Sequence, residues 1–329
     1  MNARINRREF ITLLGGAAAM WPLAARAQQP AMPVIGFLNS ESQDLYEQFV
    51  RAFHRGLSEA GFLEGRNVVV EYRWAEGKYE RLPALADELA RRQVAVIVAN
   101  PPSVLPAKAA SATIPIVFTT SLDPVAAGIV GSLSRPGGNL TGITSLNVEM
   151  EPKRLELLHE LVPTATVIAA LVNPAGPNAE TQSTSLQAAS RTLGVQLDVL
   201  HASTEAEFDR AFESVAQRGA GALLICADPL FVSRSAELAA LAVRHAVPAI
   251  WQGSEFVAAG GLASYGTSIA YIYRQLGIYT GRILKGEKPA ELPVQQVAKI
   301  ELVINLKTAR ALGITVPLPL VGRADEVIE

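Results

Sequence analysis

The sequence predicts an α/β protein made of two units, each a parallel sheet with helices on both faces. Three observations predict it. Short, almost continuously apolar runs such as "VAVIVA" and "GALLICA" alternate with helical patterns, as buried parallel strands do. The alternation falls into two series, the second beginning near Glu151. Several strand-like runs stop at Asn-Pro or Asp-Pro, at Asn100, Asp123, Asn173 and Asp228. The 329 residues, 49% hydrophobic and 18% charged, suit a large folded core and about two domains of roughly 150 residues.

In the first series "PVIGFLN" reads as a strand. Leu45, Phe49, Ala52, Phe53, Leu57 and Ala60 then keep helical spacing, and Gly61 stops the helix. "NVVVEYRW" is a strand rich in β-branched and aromatic residues. "ERLPALADELARR" is a helix whose Pro83 fits only the first turn. "VAVIVA", "IPIVFTT" and "NLTGITS" supply three more strands. In "SRPGGNLTG", Gly137 and Gly138 suit a tight path before the second series. There "KRLELLHELV" is a helix, "TVIAALV" a strand, "AETQSTSLQAASRTLG" a helix ending at Gly194, and "VQLDVLHA" a strand. Thr204 and Glu207 form a capping box that opens the next helix. "GALLICA" is a strand, "LFVSRSAELAALAVRHA" one helix, and "VPAIWQ" a strand. Short pieces follow: "LASYG" as a strand, a helix from about Ser268 to Leu284, "KPAELPVQQ" as an extended crossing, and a final strand and helix in "IELVINLKTARALG".

The N-terminus reads differently. Arg4, Arg7 and Arg8 precede an apolar run from about Ile11 to Ala25, and Ala25-Arg26-Ala27 ends it. This is the layout of a cleavable export signal over residues 1–27, too short to span a bilayer. Arg7-Arg8 with Phe10 resembles the twin-arginine motif. Asn6, Ile11 and Thr12 depart from it, so the general export route stays open. No later run is long enough to cross a membrane.

Composition limits the chemistry. The net charge of -2 and the lack of a long basic run point away from nucleic acid. Cys226 is the sole cysteine, so an intrachain disulfide and a cysteine zinc site are excluded, and its apolar surroundings read as core. His54, His159, His201 and His245 show no metal spacing. No Gly-x-Ser-x-Gly elbow and no dinucleotide fingerprint appear, and "GRILKGEK" lacks the Lys-Ser/Thr of a P-loop. An α/β enzyme is thus a minor alternative. No catalytic residue, metal ligand or cofactor is assigned.

The Asn-Pro and Asp-Pro endings carry the functional reading. Ligands of open α/β sheets bind beyond the carboxyl ends of the strands, where Asn100, Asp123, Asn173 and Asp228 sit. Proline suits the first helical position, so each is also explained as a helix cap. Capped helix ends still offer N–H groups to an anion, and Asp228 could accept from a ligand amine.

Six stretches in this order, "GFLNSES", "TTSLDPVAAGIVGSLSRPGGNLTG", "ICADPLF", "EFVAAGGLASYG", "GRILKGEKPAELPVQQ" and "ELVINLKTARALGI", cover nearly all of the chain after the signal. Together with the signal they resemble the periplasmic substrate-binding proteins of ABC importers, of the tryptophan/tyrosine-binding type. The resemblance implies the type I periplasmic-binding fold: two Rossmann-like lobes joined by a hinge of three crossings. Lobe one would be 33–142 plus 252–292, and lobe two 145–250 plus 297–319. It implies a monomer that holds a small polar organic ligand, an amino acid or an aromatic acid, between the lobes. The protein would deliver it to an ABC permease in the inner membrane. A periplasmic sensor serving a membrane receptor is the alternative. By position, the cleft would contain Asn39, Ser40, Pro102, Ser103, Ser121, Asp123, Asn173, Asp228, Gln252 and Tyr265. Ser40, Ser103 and Ser121 would hold a carboxylate and Asp228 an amine, with Tyr46, Trp251 and Tyr265 as stacking candidates.

Overall fold

The structure, a computed structural model, describes residues Met32–Glu329. The expected export signal lies outside the described residues. Two sheets organise the rest. The first runs β1 (Val34–Asn39), β2 (Val69–Trp74), β3 (Val96–Ala99), β4 (Ile116–Thr120) and β5 (Leu140–Thr144). The second carries β6 (Val167–Val172), β7 (Gln196–His201), β8 (Ala222–Ile225), β9 (Ala249–Trp251) and β10 (Ala263–Gly266). Late in the chain β11 (Gln295–Gln296) returns to the first sheet, and β12 (Glu301–Asn305) and β13 (Glu326–Ile328) to the second. The spatial orders are β11-β5-β4-β3-β1-β2 and β13-β12-β10-β9-β8-β6-β7. All pairings are parallel except β10 with β12.

Strand burial explains the parallel arrangement. β3, β4, β5 and β8 are buried along their whole length, so both sheet faces need helical cover. In the first unit α1 (Gln43–Glu59) buries Tyr46, Phe49, Ala52, Phe53 and Leu57 at helical spacing. Its main neighbour, α2 (Ile269–Leu284), comes from far along the chain. The two approach closely because glycines face each other: a Cβ on Gly56 would sit 1.8 Å from the Arg274 carbonyl oxygen, and one on Gly277 2.1 Å from that of Phe53.

The chain passes between the sheets three times, after β5, after β10 and after β11. In the first passage Leu146 adopts φ +50°, a left-handed conformation unusual for a branched side chain. Residues 252–266 differ from the expected division. The resemblance implies lobe one for them, yet β10 hydrogen-bonds β9 and β12 in the second sheet. The second unit also runs past 319, because β13 pairs with β12. The single helix expected after Asp228 is two, Pro229–Ser233 and Ser235–Arg244, since Arg234 takes φ -113° and ψ 22°. The capping box of Thr204 and Glu207 is present.

Candidate ligand-binding site

A small cavity, partly continuous with solvent, lies between the two sheets at the carboxyl ends of their strands. From the first unit, Thr119 and Ser121 reach it from the end of β4. Tyr46, Ile269, Ile272 and Tyr273 reach it from α1 and α2. Ser145 and Asn147 line it from the first crossing. Asn178, Ala227, Asp228, Pro229, Val232 and Gln252 close it from the second unit.

Asp228 is the only Asp, Glu, Lys, Arg or His among the lining residues. It follows β8 as the N-cap of a short helix, where its Oδ1 accepts from the Leu230 N–H at 2.9 Å. The same oxygen accepts from Asn173 Nδ2 at 3.0 Å and the Tyr79 hydroxyl at 3.3 Å. Oδ2 accepts no hydrogen bond from the described residues. Space beside it exists because residue 176 is glycine: a Cβ there would lie 2.6 Å from Oδ2. Burial pushes the Asp228 carboxyl up to about 6, against the pull of its three donors. Two amide oxygens on the cavity wall, Asn178 Oδ1 and Gln252 Oε1, are buried without a hydrogen-bond partner. Buried polar atoms are seldom left so, which marks both as contacts for an occupant.

The apolar wall is aromatic and aliphatic. Tyr273 stacks on Phe49 with ring centres 5.5 Å apart, and Tyr46 meets Tyr273 edge-on at 5.9 Å. Beneath the polar wall Arg154 is fully buried. It donates through Nε to the Tyr265 carbonyl and through Nη2 to the carbonyl and Oδ1 of Asn147. It thereby ties the first crossing to the end of β10. Glu151 lies 4.0 Å from it and accepts from Gln182 Nε2 and the Ala227 N–H.

Of the residues expected in the cleft, Ser121, Asp228 and Gln252 line the cavity, and so does the stacking candidate Tyr46. Asn173 stands behind it, orienting Asp228 while its own Oδ1 accepts from the Ala175 N–H. Ser40 and Ser103 do not reach it. Both are buried and bonded to Asn100, which also takes the Ser40 N–H and bonds Asn39. Asn39 supports Tyr273 through a 3.4 Å bond. Pro102 yields its place to Pro101. Asp123 is exposed and holds a turn through the Val125 and Ala126 N–H groups. Tyr265 packs against the second unit's core, and Trp251 is buried against Phe256. Asn178, Gly176, Ser145, Asn147 and Tyr273 went unassigned. Asn178 carries the one readable signal, a polar residue just ahead of a helix that begins at a strand's carboxyl side.

Residues 32–328 match the family described as ABC transporter substrate binding protein. The chain belongs to that family. A curated relative, the tyrosine-binding protein of Clostridioides difficile (strain R20291), is 28% identical over 268 residues, which is 80% of this chain and 75% of the relative. A conserved domain protein from Vibrio cholerae is 27% identical, with TM-score 0.81 over 90% of this chain and all of the other. An ABC domain from Streptococcus pneumoniae in complex with L-Trp is 25% identical, with TM-score 0.79 over 91% of this chain and all of the other. A ligand-free, open substrate-binding protein from Clostridium difficile has the same 25% identity but TM-score 0.61, over 90% of this chain and 99% of that one. The fold is the type I periplasmic-binding fold. In its overall arrangement this substrate-binding protein lies closer to the tryptophan complex than to the open form.

Proposed function

We propose that the chain is an exported solute-binding protein that captures an amino acid with a large apolar side chain, of the tyrosine or tryptophan kind, and hands it to an ABC import permease. The chemistry of the cavity wall carries this reading. Asp228, with its uncommitted Oδ2, suits a ligand ammonium, and the buried oxygens of Asn178 and Gln252 can accept from the same group. Among the described residues no cationic side chain lines the cavity, so the ligand carboxylate is met by neutral donors, among which Ser121, Thr119 and Ser145 supply hydroxyls. The ligand side chain rests against Tyr46, Tyr273, Ile269 and Ile272. The relatives named for tyrosine and determined with L-Trp support the same class of ligand. Export rests on Arg7-Arg8 and the Ala25-Arg26-Ala27 end, and among the described residues no helix is long and apolar enough to cross a membrane.

Native mass spectrometry of the gently purified mature protein tests the ligand. An adduct with the mass of an aromatic amino acid, displaced by added L-tyrosine or L-tryptophan, is expected. A co-purifying molecule without an amine would refute the assignment. N-terminal sequencing of the exported protein should begin at or within a few residues of Gln28.

A further inference from the structure

Beside the cavity a second carboxylate faces Asp228 across the gap between the two units. Glu41 follows β1 in the first unit and is buried at 2% exposure. Its Oε1 accepts from Ser40 Oγ at 3.3 Å, and its Oε2 lies 3.4 Å from Ser233 Oγ of the second unit, whose own proton goes to the Leu230 carbonyl at 2.8 Å. Tyr79, also of the first unit, donates to Asp228 Oδ1 of the second at 3.3 Å. Each buried carboxylate thus meets a hydroxyl of the opposite unit, Asp228 that of Tyr79 and Glu41 that of Ser233. We propose that Glu41 and Asp228 form a carboxylate latch across the units, so that bringing the two units together over a ligand takes up a proton.

The geometry explains why. Two like charges held close out of water favour protonation of one of them. Burial, and after it the Asp228 charge, push the Glu41 carboxyl up to about 7. Arg234 pulls the other way, but its guanidinium is engaged by Glu205. The remaining ionisable groups near Glu41 are Tyr46 and Tyr273, both protonated over the physiological range because burial raises them. Glu76, Lys78 and Glu205 face it from the outer cleft. If a ligand ammonium pairs with Asp228, as proposed above, Asp228 stays ionised and the proton goes to Glu41. When the units separate, Glu41 returns to water and to an ordinary carboxylate range near 4.5, releasing it. The closed form therefore binds more protons than the open form between about pH 4.5 and pH 7. Closure strengthens as the pH falls through 7 and levels off near 4.5.

The test has two arms, of which the first rests on the proposed ligand class and the second does not. In titration calorimetry with L-tyrosine and L-tryptophan, the wild type should bind about tenfold more tightly at pH 6 than at pH 8. Buffers of different ionisation enthalpy should show net proton uptake at pH 7. Glu41→Gln should bind at pH 8 as the wild type does at pH 6, without uptake. Glu76→Gln should keep the wild-type profile. A pH dependence that survives in Glu41→Gln overturns the latch. If neither amino acid binds at any pH, the ligand reading fails and the second arm decides. In solution scattering without ligand, the wild type should be more compact at pH 5.5 than at pH 8.5, and Glu41→Gln compact at both. The same response in both proteins, or none in either, overturns it.

Discussion

Replacing Asp228 with asparagine separates its two roles, because the structure assigns them to different oxygens. Oδ1 takes the three internal donors, from Leu230, Asn173 and Tyr79, and an asparagine oxygen can take them too. Oδ2 is the oxygen left for a ligand, and Asp228→Asn turns it into an uncharged amide nitrogen. Losing a charge-assisted hydrogen bond to an ammonium should weaken binding by about 1.5–3 kcal/mol, roughly 10- to 150-fold. Stability should move the other way. Burial raises the carboxyl from 3.8 to about 6, so the ionised side chain costs the folded protein up to about 3 kcal/mol above pH 6. The cost fades as the pH falls from 6 toward 4, where the folded protein holds the extra proton. Ligand-free Asp228→Asn should accordingly melt no lower than wild type at pH 8, with any gain shrinking toward pH 4. Asp228→Ala, which strands all three donors, should lose at least the 0.5–2 kcal/mol of a helix cap. Titration calorimetry with L-tyrosine and L-tryptophan, with thermal melts of the three proteins, gives the answer. Wild-type affinity in Asp228→Asn would reduce Asp228 to a cap and refute the ligand role.

Gly176→Ala would put a methyl 2.6 Å from Asp228 Oδ2 and force the carboxylate aside. Binding calorimetry should show about tenfold weaker affinity with little change in melting temperature, and unchanged affinity would place Oδ2 outside the ligand's reach. Arg154→Met would leave Glu151 buried beside no cation, and urea unfolding should show a loss of about 3–5 kcal/mol. Adding Glu151→Gln should restore much of it, and a double variant no more stable than the single one would show that Arg154 acts through its crossing contacts alone.

The elements were legible in the sequence because each rests on local pattern. β3 within "VAVIVA" and β8 within "GALLICA" are buried along their length, and α1 carries its apolar stripe where spacing puts it. Sheet membership of the late pieces was not legible. "LASYG" reads as a strand, but its partner β12 lies beyond a 16-residue helix and an extended passage. Of the four residues the strand-end rule named, Asp228 lines the cavity, since a residue at a strand's carboxyl end needs no distant partner to be placed there, and the family resemblance added Ser121 and Gln252. The resemblance failed for Ser40 and Ser103 because Asn100, on a neighbouring strand end, absorbs both hydroxyls. Tyr273 was hidden by its helix pattern: it packs on Phe49 as core and also forms cavity wall. Glu41 and Tyr79 could not be read at all, since their meaning comes from the opposite unit.

The same contacts suggest why capture and closure go together. The bonds that join the units near the cavity, Tyr79 to Asp228 and Ser233 to Glu41, involve the two carboxylates that repel each other when the gap is empty. A ligand cation at Asp228 supplies the missing positive charge, and a proton on Glu41 relieves the remainder. Until both arrive, approach of the units buries two anions near one another, a costly arrangement out of water. An empty protein at alkaline pH is therefore biased toward the open form, and a loaded one toward the closed. The bias is only as large as the difference in ligand affinity between the two forms. On this account a neutral analogue lacking the amine could fill the aromatic wall and still fail to draw the units together.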